Sequence, residues 1–126
     1  MKNLLFVGLG GMIGSILRYI ISKNVSGYFG SFPFGIFLIN ILGCFLAGVI
    51  IQYAINSDKD ISNFINLFLI IGFCGGFTTF SAFTIDIVSL INQNKILLVI
   101  LYISLTTIFG TLFCYLGMNI FKYLNP

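Results

Sequence analysis

The sequence predicts an all-α membrane protein: four transmembrane helices in a single transmembrane domain, residues 1–126. Hydrophobic residues make up 59% of the chain and charged residues 7%, far from the composition of a soluble globular domain. The apolar residues gather in four runs. Residues 3–22 carry one charge, Arg18, and residues 33–55, 64–85 and 96–121 contain no Asp, Glu, Lys or Arg. A spanning helix needs about 20 apolar residues, so each run is long enough to cross, and the segments between them are too short to form a domain outside the membrane. Function is therefore expected inside the bilayer.

The first helix is placed at about 3–22. Lys2 before an apolar stretch resembles the start of a signal peptide, but Arg18 interrupts the apolar core and Gly10 and Gly14 keep helical spacing, so a retained first span is expected. Lys23 to Phe32 links it to a second helix at about 33–55, with Pro33 in the first turn, where a missing N–H costs nothing. The polar stretch Asn56 to Asn63 leads to a third helix at about 64–90, and Ile91-Asn-Gln-Asn-Lys95 leads to a fourth at about 96–122.

Composition also closes off chemistry. There is no His, which removes imidazole metal sites and His-based nucleophilic catalysis from this chain. Asp58, Asp60 and Asp86 are the only acids, and no nucleophile–base or metal-ligand set can be assembled, so an enzyme is not expected. Cys44, Cys74 and Cys114 fall one to each of the last three runs without C-x-x-C spacing, which points to packing. The formal charge of +3 comes from scattered single residues, so neither a nucleic-acid patch nor a nucleotide-binding loop is present as a partner signal.

Four crossings put both termini and the 56–63 connector on one side. Lys2, Lys59 and Lys122 then face Arg18, Lys23 and Lys95 on the other side, three against three. Orientation follows an excess of Lys and Arg in cytoplasmic loops, and a balanced chain provides no such excess. Two readings stand: dual topology, with copies inserting both ways and pairing antiparallel, or one orientation set by the first helix. Small residues repeat at i, i+4 in Gly10 and Gly14, Gly43 and Ala47, and Gly72 and Gly76, the spacing that lets helices approach closely in lipid.

Helix three contains Gly72-Phe-Cys-Gly-Gly-Phe-Thr-Thr-Phe-Ser-Ala-Phe83. Gly75 and Gly76 followed by β-branched Thr78 and Thr79 weaken a continuous helix, so a break in mid-span is one reading and an unbroken helix with glycines against a neighbour is the other. Freed carbonyls at such a break would suit a hard cation such as Na⁺. Phe80 and Phe83 share a helix face, and their electropositive ring edges could hold an anion, although aromatic pairs ordinarily fill a core or meet lipid. Asn40 is the amide in the middle of helix two, able to donate to an anion or to bind a neighbouring helix. Tyr102 and Thr106, one turn apart with Ser104 and Thr107 nearby, could form a hydroxyl track. Arg18 is a vestibule charge or a snorkelling side chain, and Asp86 is the second ionisable group near a helix end.

Gly10-Gly-Met-Ile-Gly14 with Arg18-Tyr19, Pro33-Phe-Gly35 with Asn40 and Gly43, and Gly72 to Ser81 with Phe83 together resemble the small bacterial fluoride channels of the Fluc, or CrcB, family. The match covers three of the four helices in order. The resemblance implies a fluoride-selective channel that passively exports fluoride from the cytoplasm and so reduces its toxicity, working as an antiparallel dual-topology homodimer in the bacterial inner (plasma) membrane. By position it implies Phe80, Phe83, Ser81, Asn40, Tyr102 and Thr106 as pore and anion-binding residues and Arg18 as a vestibule arginine. It also implies backbone carbonyls of Gly75 and Thr78 as ligands of a structural Na⁺ that is not transported. Ala82 and Ile36 stand where the family usually has Thr, and Gly110 falls where the hydroxyl track would continue. The readings from other classes are a small proton-coupled multidrug transporter, which would want an acid in the first helix where none occurs, and a structural membrane subunit.

Overall fold

The computed structural model describes residues 1–25 and 30–124, the last four of these by backbone only. Residues 26–29 of the first connector and the Lys122 side chain, which entered the charge count, lie outside the described residues.

Described residues form helices joined by short turns: α1 (Lys2–Val25), α2 (Phe34–Ile55), α3 (Lys59–Ile65), a π-helical stretch (Asn66–Cys74), α4 (Gly75–Phe77), α5 (Phe80–Asn92) and α6 (Ile96–Leu124). Among the described residues four helical stretches are long and apolar enough to cross a membrane: Lys2–Val25, Phe34–Ile55, Lys59–Asn92 and Ile96–Ile120. The third is a composite of α3, the π-helical stretch, α4 and α5. Its start differs from the expected 64, because Lys59 to Asn63 are helical rather than a connector. Asp58 stands at the N-cap with its carbonyl accepting from the Ser62 N–H at 2.8 Å, and Asp60 in the first turn complements the helix dipole. The third helix ends at Asn92, and Asn94 turns the chain with φ 57°, a left-handed conformation that Asn tolerates. Lys95 then donates to Ser31 Oγ at 2.5 Å and to Gln93 Oε1 at 2.6 Å, tying the two connectors together.

Two close pairings organise the bundle, and glycine makes both possible. α1 lies against the π-helical stretch and α4: a Cβ on Gly72 would stand 2.9 Å from the Val7 carbonyl oxygen, and one on Gly76 2.5 Å from that of Gly11. A Cβ on Gly10 would meet the Phe73 amide at 2.9 Å, and one on Gly14 the Phe77 amide at 2.8 Å. The i, i+4 glycines of the first and third helices therefore pack on one another within a single chain. α2 lies against α6 in the same way, through Gly48 beside the backbone of Cys114 and Met118 and Gly117 beside Phe45 and Val49. Residues Ile39, Ile41, Phe77, Leu90, Val99 and Tyr102 are buried between these layers, whereas the outward faces carry a broad set of exposed Leu, Ile and Phe side chains. Exposed apolar side chains on every long helix are what a bilayer or another membrane-embedded surface would cover.

Candidate functional site at the interruption of the third helix

The composite third helix stops at Phe77 and resumes at Phe80. Thr78 (φ −77°, ψ 155°) and Thr79 (φ −150°, ψ 119°) are extended, while Gly75 and Gly76, the expected weak point, are helical. β-Branched side chains favour extended backbone more than glycines do, and here the Thr78 and Thr79 hydroxyls and the Thr79 N–H all find partners.

Several polar groups freed by this interruption find other partners. In a continuous helix the Thr79 N–H would donate to the Gly75 carbonyl, four residues back. It donates instead to Asn40 Oδ1 at 2.9 Å, and Asn40 Nδ2 donates to the Thr79 carbonyl at 3.3 Å. Because the Thr79 N–H can only donate, this pair also fixes which way the amide faces. Asn40 and Thr79 are each 9% exposed. The Ala82 N–H, which would reach the Thr78 carbonyl in a continuous helix, donates to Thr79 Oγ1 at 3.2 Å, so Thr79 caps α5. The same hydroxyl is 3.1 Å from Ser81 Oγ. Thr78 turns its own hydroxyl back to the Cys74 carbonyl at 2.8 Å. Gly75 and Thr78 are thereby deprived of their helical donors, whereas the Gly76 carbonyl accepts from Arg18 Nε at 3.0 Å and from Ser15 Oγ at 3.4 Å.

A recess of about 490 Å³ opens beside the interruption, lined by Asn40, Cys44, Thr78, Thr79, Phe80, Phe83, Ile103, Thr106 and Thr107. It unites α2, α5 and α6. Phe80 and Phe83 lie with ring centroids 5.9 Å apart and planes inclined at 38°; Phe80 is 77% exposed and stands out from the chain's surface. Thr106 Oγ1 is buried and has no protein hydrogen-bond partner, which is costly for a hydroxyl unless something else fills its place.

The other expected site residues take different positions. Tyr102 is fully buried behind the recess, its ring 4.9 Å from that of Phe83, and its hydroxyl donates to Asp86 Oδ2 at 3.2 Å. Its single O–H is thus committed to a carboxylate. Ser81 is exposed and reaches the recess only through Thr79. Arg18 lies outside the recess, half-buried, against the end of α4. Gly75 is exposed, one helical turn before Thr79. Thr79 and Cys44 join the site beyond the expected residues: the sequence marks Thr79 as a helix-weakening residue and Cys44 as a packing residue. Among the described residues no three His, Cys, Asp or Glu side chains come together as a metal site.

These features define a small multi-pass helical membrane protein whose polar site is built at an interruption within its third span. The chain belongs to the CrcB family: residues 5–118 match the family described as CrcB-like protein, Camphor Resistance (CrcB). It is 39% identical over 125 residues to the fluoride-specific ion channel FluC of Flavobacterium psychrophilum, covering 98% of this chain and 100% of that one. It is 41% identical over 121 residues to the FluC of Shewanella woodyi, covering 95% and 96%. The FluC of Methanococcus aeolicus is 44% identical over 95 residues, 75% of each chain.

Proposed function

We propose that this protein is a fluoride-selective ion channel that passively exports fluoride from the cytoplasm across the bacterial plasma membrane. Membership of the family whose full-length relatives are named fluoride-specific ion channels supports the ion, and the recess at the interruption supports the route. The observation that carries the reading is Thr106, whose buried Oγ1 has no protein partner and whose side chain lines the same recess as Asn40 and the Phe80–Phe83 pair. A small anion needs donors but must also leave. The Thr106 O–H and the second N–H of Asn40 offer hydrogen bonds, and ring edges of Phe80 and Phe83 offer a weaker positive field than a full charge would. The Ser81 hydroxyl adds a donor at the exposed end. Arg18, outside the recess, adds positive potential that draws anions towards it.

In this reading two copies pair antiparallel with dual topology. Phe80, which projects from one subunit, then faces a second copy rather than lipid, and the balanced Lys and Arg of the sequence favour insertion both ways. The family also implies a structural Na⁺. The Gly75 and Thr78 carbonyls fit one: they are neutral hard oxygens whose helical donors are taken by Asn40 and by the Thr79 hydroxyl. Bound there, the ion would supply fixed positive charge to the centre of the pair without being transported.

Purified protein in liposomes, with a fluoride gradient and an ionophore to clamp charge, should release fluoride rapidly and chloride little. Asn40→Ala and Phe80→Ala should each reduce that flux sharply. No efflux from folded protein would point to a structural subunit instead, and full activity after complete Na⁺ removal would refute the cation's role.

A further inference from the structure

Among the groups freed by the interruption, Gly75 and Thr78 lose their helical donors to groups on α2 and within Thr79 itself, but the Gly76 carbonyl is claimed from α1. We propose that Arg18 is a positioning residue of the channel: through its Nε it holds the end of α4, so that α1, which contributes nothing to the recess, sets the backbone on which the recess is built. This rests on the channel reading above for its flux readout, though not for its geometry.

Three observations carry it. The Arg18 Nε–H donates to the Gly76 carbonyl at 3.0 Å, and Ser15 Oγ, one turn earlier on α1, lies 3.4 Å from the same oxygen. Gly76 is two residues before the extended Thr78–Thr79 pair, and in a continuous helix its carbonyl would accept from Phe80, which lies across the interruption. The helices cannot slide to relieve a loss here, because Gly76 and Gly11 are in backbone contact and Gly14 is packed against Phe73 and Phe77. A cation at the carbonyl end of a helical segment is also favoured by the segment's dipole. Arg18 therefore neither snorkels freely nor acts only as a vestibule charge. By occupying Gly76 it leaves the Gly75 and Thr78 carbonyls unclaimed by α1.

The chemistry of the side chains separates position from charge. In Gln, Nε2 is bonded to Cδ, as Nε is in Arg, so Arg18→Gln keeps an N–H donor at the same place and removes the charge. In Lys that place is taken by the apolar Cε with the ammonium one bond further out, so Arg18→Lys keeps the charge and removes the donor from that atom. A vestibule charge predicts that Lys rescues and Gln fails; the positioning role predicts the reverse.

The experiment measures fluoride efflux and amide hydrogen exchange of peptides covering residues 75–80 in wild type, Arg18→Gln and Arg18→Lys, all as folded protein in liposomes. Arg18→Gln, which gives up only the charge that draws anions, should lose less flux than Arg18→Lys, which should lose about tenfold or more, the worth of a charge-assisted hydrogen bond. Exchange over residues 75–80 should accelerate in Arg18→Lys while peptides from α2 and α6 are unchanged. Wild-type flux in Arg18→Lys, or unaltered exchange over residues 75–80, would overturn the proposal. If wild-type protein passes no fluoride, the channel reading fails, and the exchange comparison alone still decides the role of Arg18.

Discussion

The side chain of Asn40 pairs with the backbone of Thr79 as one extended residue pairs with another across an antiparallel ladder, accepting from its N–H at 2.9 Å and donating to its carbonyl at 3.3 Å. An amide is the smallest side chain that offers a donor and an acceptor side by side, and both are used on a residue that no longer belongs to a helix. α2 thus supplies the half-ladder that the interruption lacks, and Gly43, one turn further along, makes room for the Thr78 side chain.

Asn40→Asp keeps the acceptor for the Thr79 N–H but sets a carboxylate oxygen against the Thr79 carbonyl. It is expected to cost more than Asn40→Ala, which loses about 1–2 kcal/mol from the two hydrogen bonds. Thermal unfolding in detergent orders the three proteins; equal midpoints for the Asp variant and wild type would contradict the pairing.

Thr106→Val should uncouple stability from flux. Val has nearly the shape of Thr, and the hydroxyl it removes has no protein partner, so the unfolding midpoint should hold or rise slightly. Fluoride flux in liposomes should fall severalfold, because a donor is lost from the recess. A destabilised variant with unchanged flux would show that the hydroxyl serves the fold.

The contact between the first and third helices can be tested one methyl at a time. Gly8 has open space where a Cβ would stand, and Gly10 has the backbone of the π-helical stretch there. Gly8→Ala should be neutral or slightly stabilising through helix propensity, and Gly10→Ala should reduce the yield of folded protein strongly, by several kcal/mol if the helices are forced apart. Comparable yields of the two would disprove the close approach.

Tyr102→Phe removes the hydroxyl that donates to Asp86 at 3.2 Å. A loss of about 1 kcal/mol is expected, since Asp86 is only half-buried and water can replace part of the bond. In a double-mutant cycle, Tyr102→Phe with Asp86→Ala should cost less than the sum of the single changes. Strict additivity would mean that the two groups do not interact.

The four spans were legible because a bilayer demands about 20 apolar residues wherever it is crossed, and a count of charges finds them. Weakness around residues 75–79 was legible from residue types, but its location was not: glycine lowers the cost of a break without choosing it, and the choice fell to Thr79, whose hydroxyl and N–H both find partners. Asn40, Phe80, Phe83 and Thr106 lie together at one recess, a grouping that the family resemblance implies and that no spacing in the sequence shows. What each of Asn40, Arg18 and Tyr102 touches was out of reach, since their partners are 39, 58 and 16 residues away and two of the three are backbone groups, which carry no residue signature. The glycines at 48 and 117 also passed unnoticed, because each pairs with another helix rather than with a second glycine in its own.

The π-helical winding of Asn66–Cys74 carries no polar side chain after Asn66, yet it governs the aim of everything beyond it. A π turn holds more residues than an α turn, so it works as a phase shifter: it adjusts the azimuth at which the next residue emerges. Rewinding these nine residues as α with their number unchanged would rotate the Thr78 to Phe83 stretch about the axis, away from Asn40 and Thr106, and removing one residue at the same time would offset part of that rotation. The orientation of the recess is therefore held by a match between winding and residue count, which substitutions that keep the stretch apolar should leave intact.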